Sequence, residues 1–170
     1  AIVYHEKCEI DKALDYLNKL PSISLNTIGE NHPYVANSYN NMANVYSDKG
    51  ELDTALTYYN KSLSIRLNTL GENHPDVATS YNNMAIVYSH KGELDKALEY
   101  HNKSLSISLN TLGENHPDVA NSYNNMAIVY KEKGELDKAL EYHNKSLSIS
   151  MNTLGENHLY VATSYNNMAN

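Results

Sequence analysis

The chain is written in words of forty-two residues, and that repetition constrains its fold more than any other feature. Gly71 to Leu112 and Gly113 to Leu154 align without a gap and differ only at Thr79/Asn121, Ser89/Lys131, His90/Glu132 and Leu109/Met151. The preceding unit, Gly29 to Leu70, differs from Gly71 to Leu112 at eight positions. A fixed period of this size specifies an array in which each unit buries its apolar surface against its neighbours. The reading is a single solenoid over residues 1–170, with complete units at 29–70, 71–112 and 113–154 and partial units at 1–28 and 155–170.

Within one unit, His74-Pro75-Asp76-Val77 places a proline and an acidic residue where a helix start favours them, and Gly92 follows the last periodic residue as a terminator. This predicts a helix A over about Pro75 to Lys91. Val77, Ala78, Tyr81, Met84, Ala85 and Tyr88 form one stripe at helical spacing, incompatible with a strand. A second stripe, Leu94, Ala97, Leu98, His101, Leu105, Leu109 and Leu112, predicts a helix B that ends at Gly113. Tyr100 and Ile107 widen its apolar surface, which suits a helix packed between its own helix A and that of the next unit. Glu99 and Lys103 stand four apart as an exposed ion pair of favourable polarity.

The unit resembles a tetratricopeptide repeat. Tyr81, Met84, Ala85 and Tyr88, then Gly92, Leu94, Ala97 and Ser104, fall at that family's bulky, Leu, small, aromatic, Gly, aromatic, Ala and Ala positions. The period of forty-two exceeds the common thirty-four, with the extra residues lengthening helix B by about two turns. Together with Leu-Gly-Glu-Asn-His-Pro and Asn-Asn-Met-Ala this is similar to the kinesin-light-chain-like branch. The resemblance implies an all-α, right-handed superhelical solenoid of antiparallel helix pairs that binds other proteins, with helices A lining its concave side.

If helix A lines a groove, the residues opposite its core stripe face it. Those candidates are Asn37, Asn40, Asn41, Asn44 and Asp48 in the first complete unit and Thr79, Asn82, Asn83, Ile86 and His90 in the second. Asn121, Asn124, Asn125, Ile128, Lys131 and Glu132 follow in the third. The Asn pair is invariant among the units, while positions 37, 44 and 48 vary with their equivalents. A side-chain amide offers two donors and an acceptor, the complement of a peptide unit, so an Asn row could grip an extended backbone. Alternatively, the rows bond neighbouring helices and the variable positions are merely exposed. Lys131 is the one base on this face and acids offset it, so a neutral or basic segment is the expected ligand.

Composition narrows the function. Thirteen Lys and Arg against twenty Asp and Glu leave a net charge of −7, which repels nucleic acid and anionic membrane surfaces. No apolar run is long enough to span a bilayer, and the first residues show no secretory pattern, so a cytoplasmic protein is expected. One cysteine, Cys8, makes no intrachain disulfide. His32, His74, His116 and His158 recur beside the helix start, which points to capping rather than to metal or catalysis. His101 and His143 replace Tyr59 on the helix B stripe and read as half-buried core substitutes. There is no nucleophile elbow, phosphate loop or His-Glu-x-x-His, so neither enzyme activity nor a cofactor is expected.

The outer units are degenerate. Pro21 stands inside a helix B where other units carry Leu, predicting a bend near Leu20, and Cys8 replaces the capping glycine. The sequence opens within one helix A and closes within another. Ile2, Val3 and Tyr4 at one end, and Val161, Tyr165 and Met168 at the other, are therefore expected to form uncovered apolar faces that associate head-to-tail. The expected function is a non-catalytic scaffold holding a peptide in an Asn-rich groove. Its alternatives are a self-assembling array and a sensor array joined to an enzyme elsewhere.

Overall fold

The computed structural model describes residues 29–156 together with 158, 159, 161, 162, 165 and 166. Pro21, Cys8, Ile2, Val3, Tyr4 and Met168 lie outside the described residues. Six full-length helices are present among those described: α1 (Pro33–Asp48), α2 (Leu52–Leu70), α3 (Pro75–His90), α4 (Leu94–Leu112), α5 (Pro117–Glu132) and α6 (Leu136–Leu154). The chain divides into two compact units, Ala1–Glu72 and Asn73–Asn170. The first contains the pair α1/α2 and the second the pairs α3/α4 and α5/α6, with each pair packed along its length. The second unit also packs α4 against α5.

Helix starts and stops follow from a few residues. The imidazole Nδ1 of His74 accepts the Asp76 backbone N–H at 3.1 Å, and His32 and His116 cap their helices in the same way. The following proline has no N–H to leave unsatisfied and a φ already suited to a helix. At the other end of α3, the Gly92 N–H reaches Ser89 O at 2.8 Å and the Glu93 N–H reaches Tyr88 O at 2.9 Å. These two bonds are a Schellman cap, and they require the left-handed φ of +74° that Gly92 adopts without a Cβ penalty.

The helix A stripe packs inward. Val77, Ala78, Met84 and Ala85 are buried, as are their equivalents in α1 and α5. In the second unit, Ala97, Leu98 and Leu105 of α4 join Val119, Ala120, Met126 and Val129 of α5 and Ile149 of α6 in one core. Helix α4 is thus sandwiched between two A helices, which is why its apolar residues spread beyond one stripe.

Several assignments shift. Tyr81 and Tyr88 are only half-buried because they flank Tyr100 at ring separations of 5.9 and 5.0 Å, leaving their outer edges exposed. Leu112, at the last turn of α4, is exposed. Val87 and Ser80 are buried although neither belongs to the stripe; Ser80 tolerates burial by donating its hydroxyl to Asp76 O at 3.1 Å. The ion pair Lys103–Glu99 forms at 2.6 Å, with the ammonium 4.7 Å from the Tyr100 ring centre.

Candidate functional site

The outward face of the A helices carries the candidate residues in two chemically different settings. On α1, Asn37, Asn41, Asn44 and Asp48 are exposed and Asn40 is half-buried. Two of these amides are engaged by α2. Asn37 Oδ1 accepts Arg66 Nη2 at 2.9 Å, and Asn44 Oδ1 accepts the Tyr59 hydroxyl at 2.5 Å. Arg66 is only 6% exposed, and burial, followed by the charge of Asp48, pushes the Tyr59 hydroxyl up to about 12. Base on this side of the first unit therefore comes from helix B, since α1 contains no Lys, Arg or His.

On α3 and α5 the corresponding partners are gone. Ile86 and Ile128 replace Asn44 and stand 36% and 40% exposed, while His101 and His143 replace Tyr59. Ser108 and Ser150 replace Arg66. The histidines are not half-buried as their polarity suggested. His101 is 1% exposed, its Nδ1 has no hydrogen-bond partner, and desolvation lowers its pKa to about 4. His143 is likewise buried and its pKa lowered by desolvation and then by Lys131. Each histidine stands where Tyr59 bonds Asn44, and with isoleucine in place of that amide the bond has no counterpart.

The invariant amides join neighbouring helices in the second unit. Asn125 Nδ2 donates to Asn82 Oδ1 at 3.1 Å, and Ser89 donates to Glu132 Oε2 at 2.7 Å. Asn82, Asn83, Asn124 and Asn125 are half-buried, whereas Thr79, His90, Asn121, Lys131 and Glu132 are exposed. Part of the Asn row is thus a structural lacing, and the exposed variable residues flank it. Between α3, α4 and α5 lies a pocket of about 200 Å³, lined by residues that include Thr79, Asn82, Ser108, Asp118, Asn121 and Asn125.

Of the proposed association residues that are described, Tyr165 is 53% exposed, but Val161 is only 2% exposed. The expectation of an uncovered Val161 is corrected: it occupies the position of Val35, Val77 and Val119, all of which are buried. No group of three or more His, Cys, Asp or Glu able to hold a metal ion occurs among the described residues. No helix among them is long and apolar enough to cross a membrane.

The pairs 37/66 and 44/59 were legible in principle. Four of the eight differences between Gly29–Leu70 and Gly71–Leu112 fall on them; 44/59 stays matched in the third unit as Ile128 and His143, whereas Asn121 there stands with Ser150. Neither helix alone carries the signal, because each pair joins one residue of helix A to one of helix B.

A tetratricopeptide-repeat family model matches residues 1–68, 34–110, 76–152 and 118–170. Among solved structures, the nearly identical TPR-like repeats of a kinesin-light-chain-like protein from Podosopora anserina align with a TM-score of 0.81 at 24% identity, covering 98% of this chain and 79% of that one. BtubC (BKLC) from P. vanneervenii aligns with a TM-score of 0.73 at 20% identity, over 98% of this chain and 74% of that one. The N-terminal domain of stress-induced protein-1 from C. elegans aligns with a TM-score of 0.59 at 16% identity, over 79% and 95% of the respective chains. A search of curated protein sequences finds no match.

Proposed function

The chain belongs to the tetratricopeptide-repeat family, whose members typically act as scaffolds for protein–protein interaction, and from that premise we propose that the A-helix face of residues 75–132 binds a peptide segment of a partner protein. The single observation that carries this reading is the pairing of exposed Ile86 and Ile128 with a polar pocket on the same helices. Each isoleucine replaces the amide that bonds inward in the first unit, so apolar surface is exposed where the scaffold does not need it. The Asn82–Asn125 bond supports a revised role for the Asn row, as the floor that fixes the spacing of neighbouring helices. The flanking residues Thr79, Ile86, Asn121 and Ile128 make the contact, with His90, Lys131 and Glu132 at the C-terminal end of the face. Glu132 and Asp118 favour a neutral or basic segment over an acidic one.

Selection from a random-peptide display library tests this. Enriched peptides should lose binding to Ile86→Asp/Ile128→Asp while that variant keeps its helical content and melting temperature. Peptides that bind both proteins equally would show that the face is not the site. Head-to-tail association remains a competing reading, weakened by the burial of Val161 and supported by exposed Leu159 and Tyr165. It predicts a sedimentation mass that rises with concentration and falls back on Tyr165→Lys.

A further inference from the structure

The pocket between α3, α4 and α5 is selective in its hydrogen-bonding character. Thr79 spends its hydroxyl proton on Pro75 O at 3.1 Å, and Ser122 spends its own on Asp118 O at 2.9 Å. Both oxygens are left with acceptor capacity. Asn125 gives one of its two N–H groups to Asn82 and keeps its Oδ1 as an acceptor. Asp118 adds a carboxylate, Asn121 a carbonyl oxygen and an NH2 group, and the Asn82 amide a further donor. The N-terminal turn of α5 offers little to an anion, because His116 already takes the Asp118 N–H at 3.1 Å. The α4 contribution runs through Ser104 and Ser108 to Leu112, the last residue at the negative end of that helix. Asp118 gives the lining a negative charge and no basic residue lines it, so the fitting ligand is a cation with several donors.

The first unit shows which cation the repeat accommodates. Arg66 there occupies the position of Ser108, and its guanidinium is held by Asn37, the counterpart of Thr79 and Asn121. With serine in place of that arginine the guanidinium is gone and Thr79 stands where Asn37 held it, while Asn121 of the next unit keeps the amide. We propose that the pocket bounded by Thr79, Ser108, Asp118 and Asn121 receives the guanidinium of an arginine from a bound peptide segment, standing in for the Arg66 that these repeats lack. The inference rests on the peptide-scaffold reading and sharpens it. A planar fork of five N–H donors can engage acceptors on three helices at once, which a lysine ammonium on a single point does less well.

The test uses N-acetyl-arginine amide, whose only charge is the guanidinium, titrated into the isotopically labelled chain and followed by NMR. Saturable shifts of the Asn121 and Asn125 side-chain amides are expected. The citrulline analogue, isosteric and uncharged, should bind at least about tenfold more weakly, because bonds to a charged donor are the stronger ones. Ser108→Arg should fill the pocket from within and abolish the response with an unchanged melting curve. Should that variant melt early, Asp118→Asn decides instead, with weakening of about tenfold expected. Equal response to the citrulline compound, or a wild-type response in a folded Ser108→Arg or Asp118→Asn protein, would overturn the proposal. These outcomes are separable from the scaffold reading: library peptides that still depend on Ile86 and Ile128 without any arginine response would sink the pocket alone.

Discussion

The helix pair of residues 33–70 and the pair of residues 75–112 bury equivalent core residues and differ in how their outer polar groups are satisfied. Both bury Val, Ala, Met and Ala at the same helix A positions. In the first, Arg66 and Tyr59 extend from helix B to amides on helix A. In the second, Ser108 and His101 do not, and an isoleucine is exposed instead. Near-identical repeats thus hold the fold constant while paired substitutions across the two helices alter the face. A position that looks variable and merely exposed can be one half of a bonded pair.

The equivalent core residues should give the largest and most uniform effects. Met42→Ala and Met84→Ala remove fully buried side chains, and each should destabilise by about 2–5 kcal/mol, read by chemical denaturation. A large disparity between them would break the premise that the two pairs are packed alike.

Acid should separate the pairs next. His101 is held neutral in the folded state, with a pKa near 4 against an ordinary value of 6.5. The folded state therefore binds fewer protons than the unfolded one, and stability is complete above about pH 6.5 and is lost as pH falls toward 4. The loss from this residue is roughly 3 kcal/mol, with His143 adding in the same direction. Denaturation midpoints between neutral and acid pH should drop for the wild type and drop less for His101→Tyr/His143→Tyr. A pH dependence unchanged by that replacement would show that the histidines are not the cause.

The Arg66–Asn37 bond gives a smaller difference. Asn37→Ala should cost about 1.5–3 kcal/mol, because it withdraws an acceptor from a buried guanidinium, whereas Thr79→Ala, lacking such a partner, should stay within about 0.5 kcal/mol. Equal effects at the two positions would mean that Arg66 gains little from Asn37.

The fold was largely legible because its determinants are local and repeated three times over: the His-Pro start, the glycine stop and the helical stripes each act within a few residues. Helix α3 ends at His90, one residue before the boundary expected from the sequence, because Lys91 already belongs to the Gly92 cap. The candidate face was legible only as a set of positions. Periodicity placed Asn82 and Asn125 on one side of their helices but could not show that they bond each other across the gap between repeats. Nor could it show His101 sealed from water, since a polar side chain on a stripe edge is ordinarily read as partly solvated. Co-variation between helices A and B is visible in the repeat alignment at 44/59, where Asn with Tyr becomes Ile with His in both later units.

The central claim, that substitutions on the A-helix face are coupled to helix B, is tested most directly by a double-mutant cycle on Asn44 and Tyr59. Asn44→Ala, Tyr59→Phe and the double variant each report a denaturation free energy. The Tyr59–Asn44 hydrogen bond predicts a coupling of about 1 kcal/mol, the double variant losing less than the sum of the singles. Additivity within about 0.3 kcal/mol would contradict it, and the two positions would then vary independently.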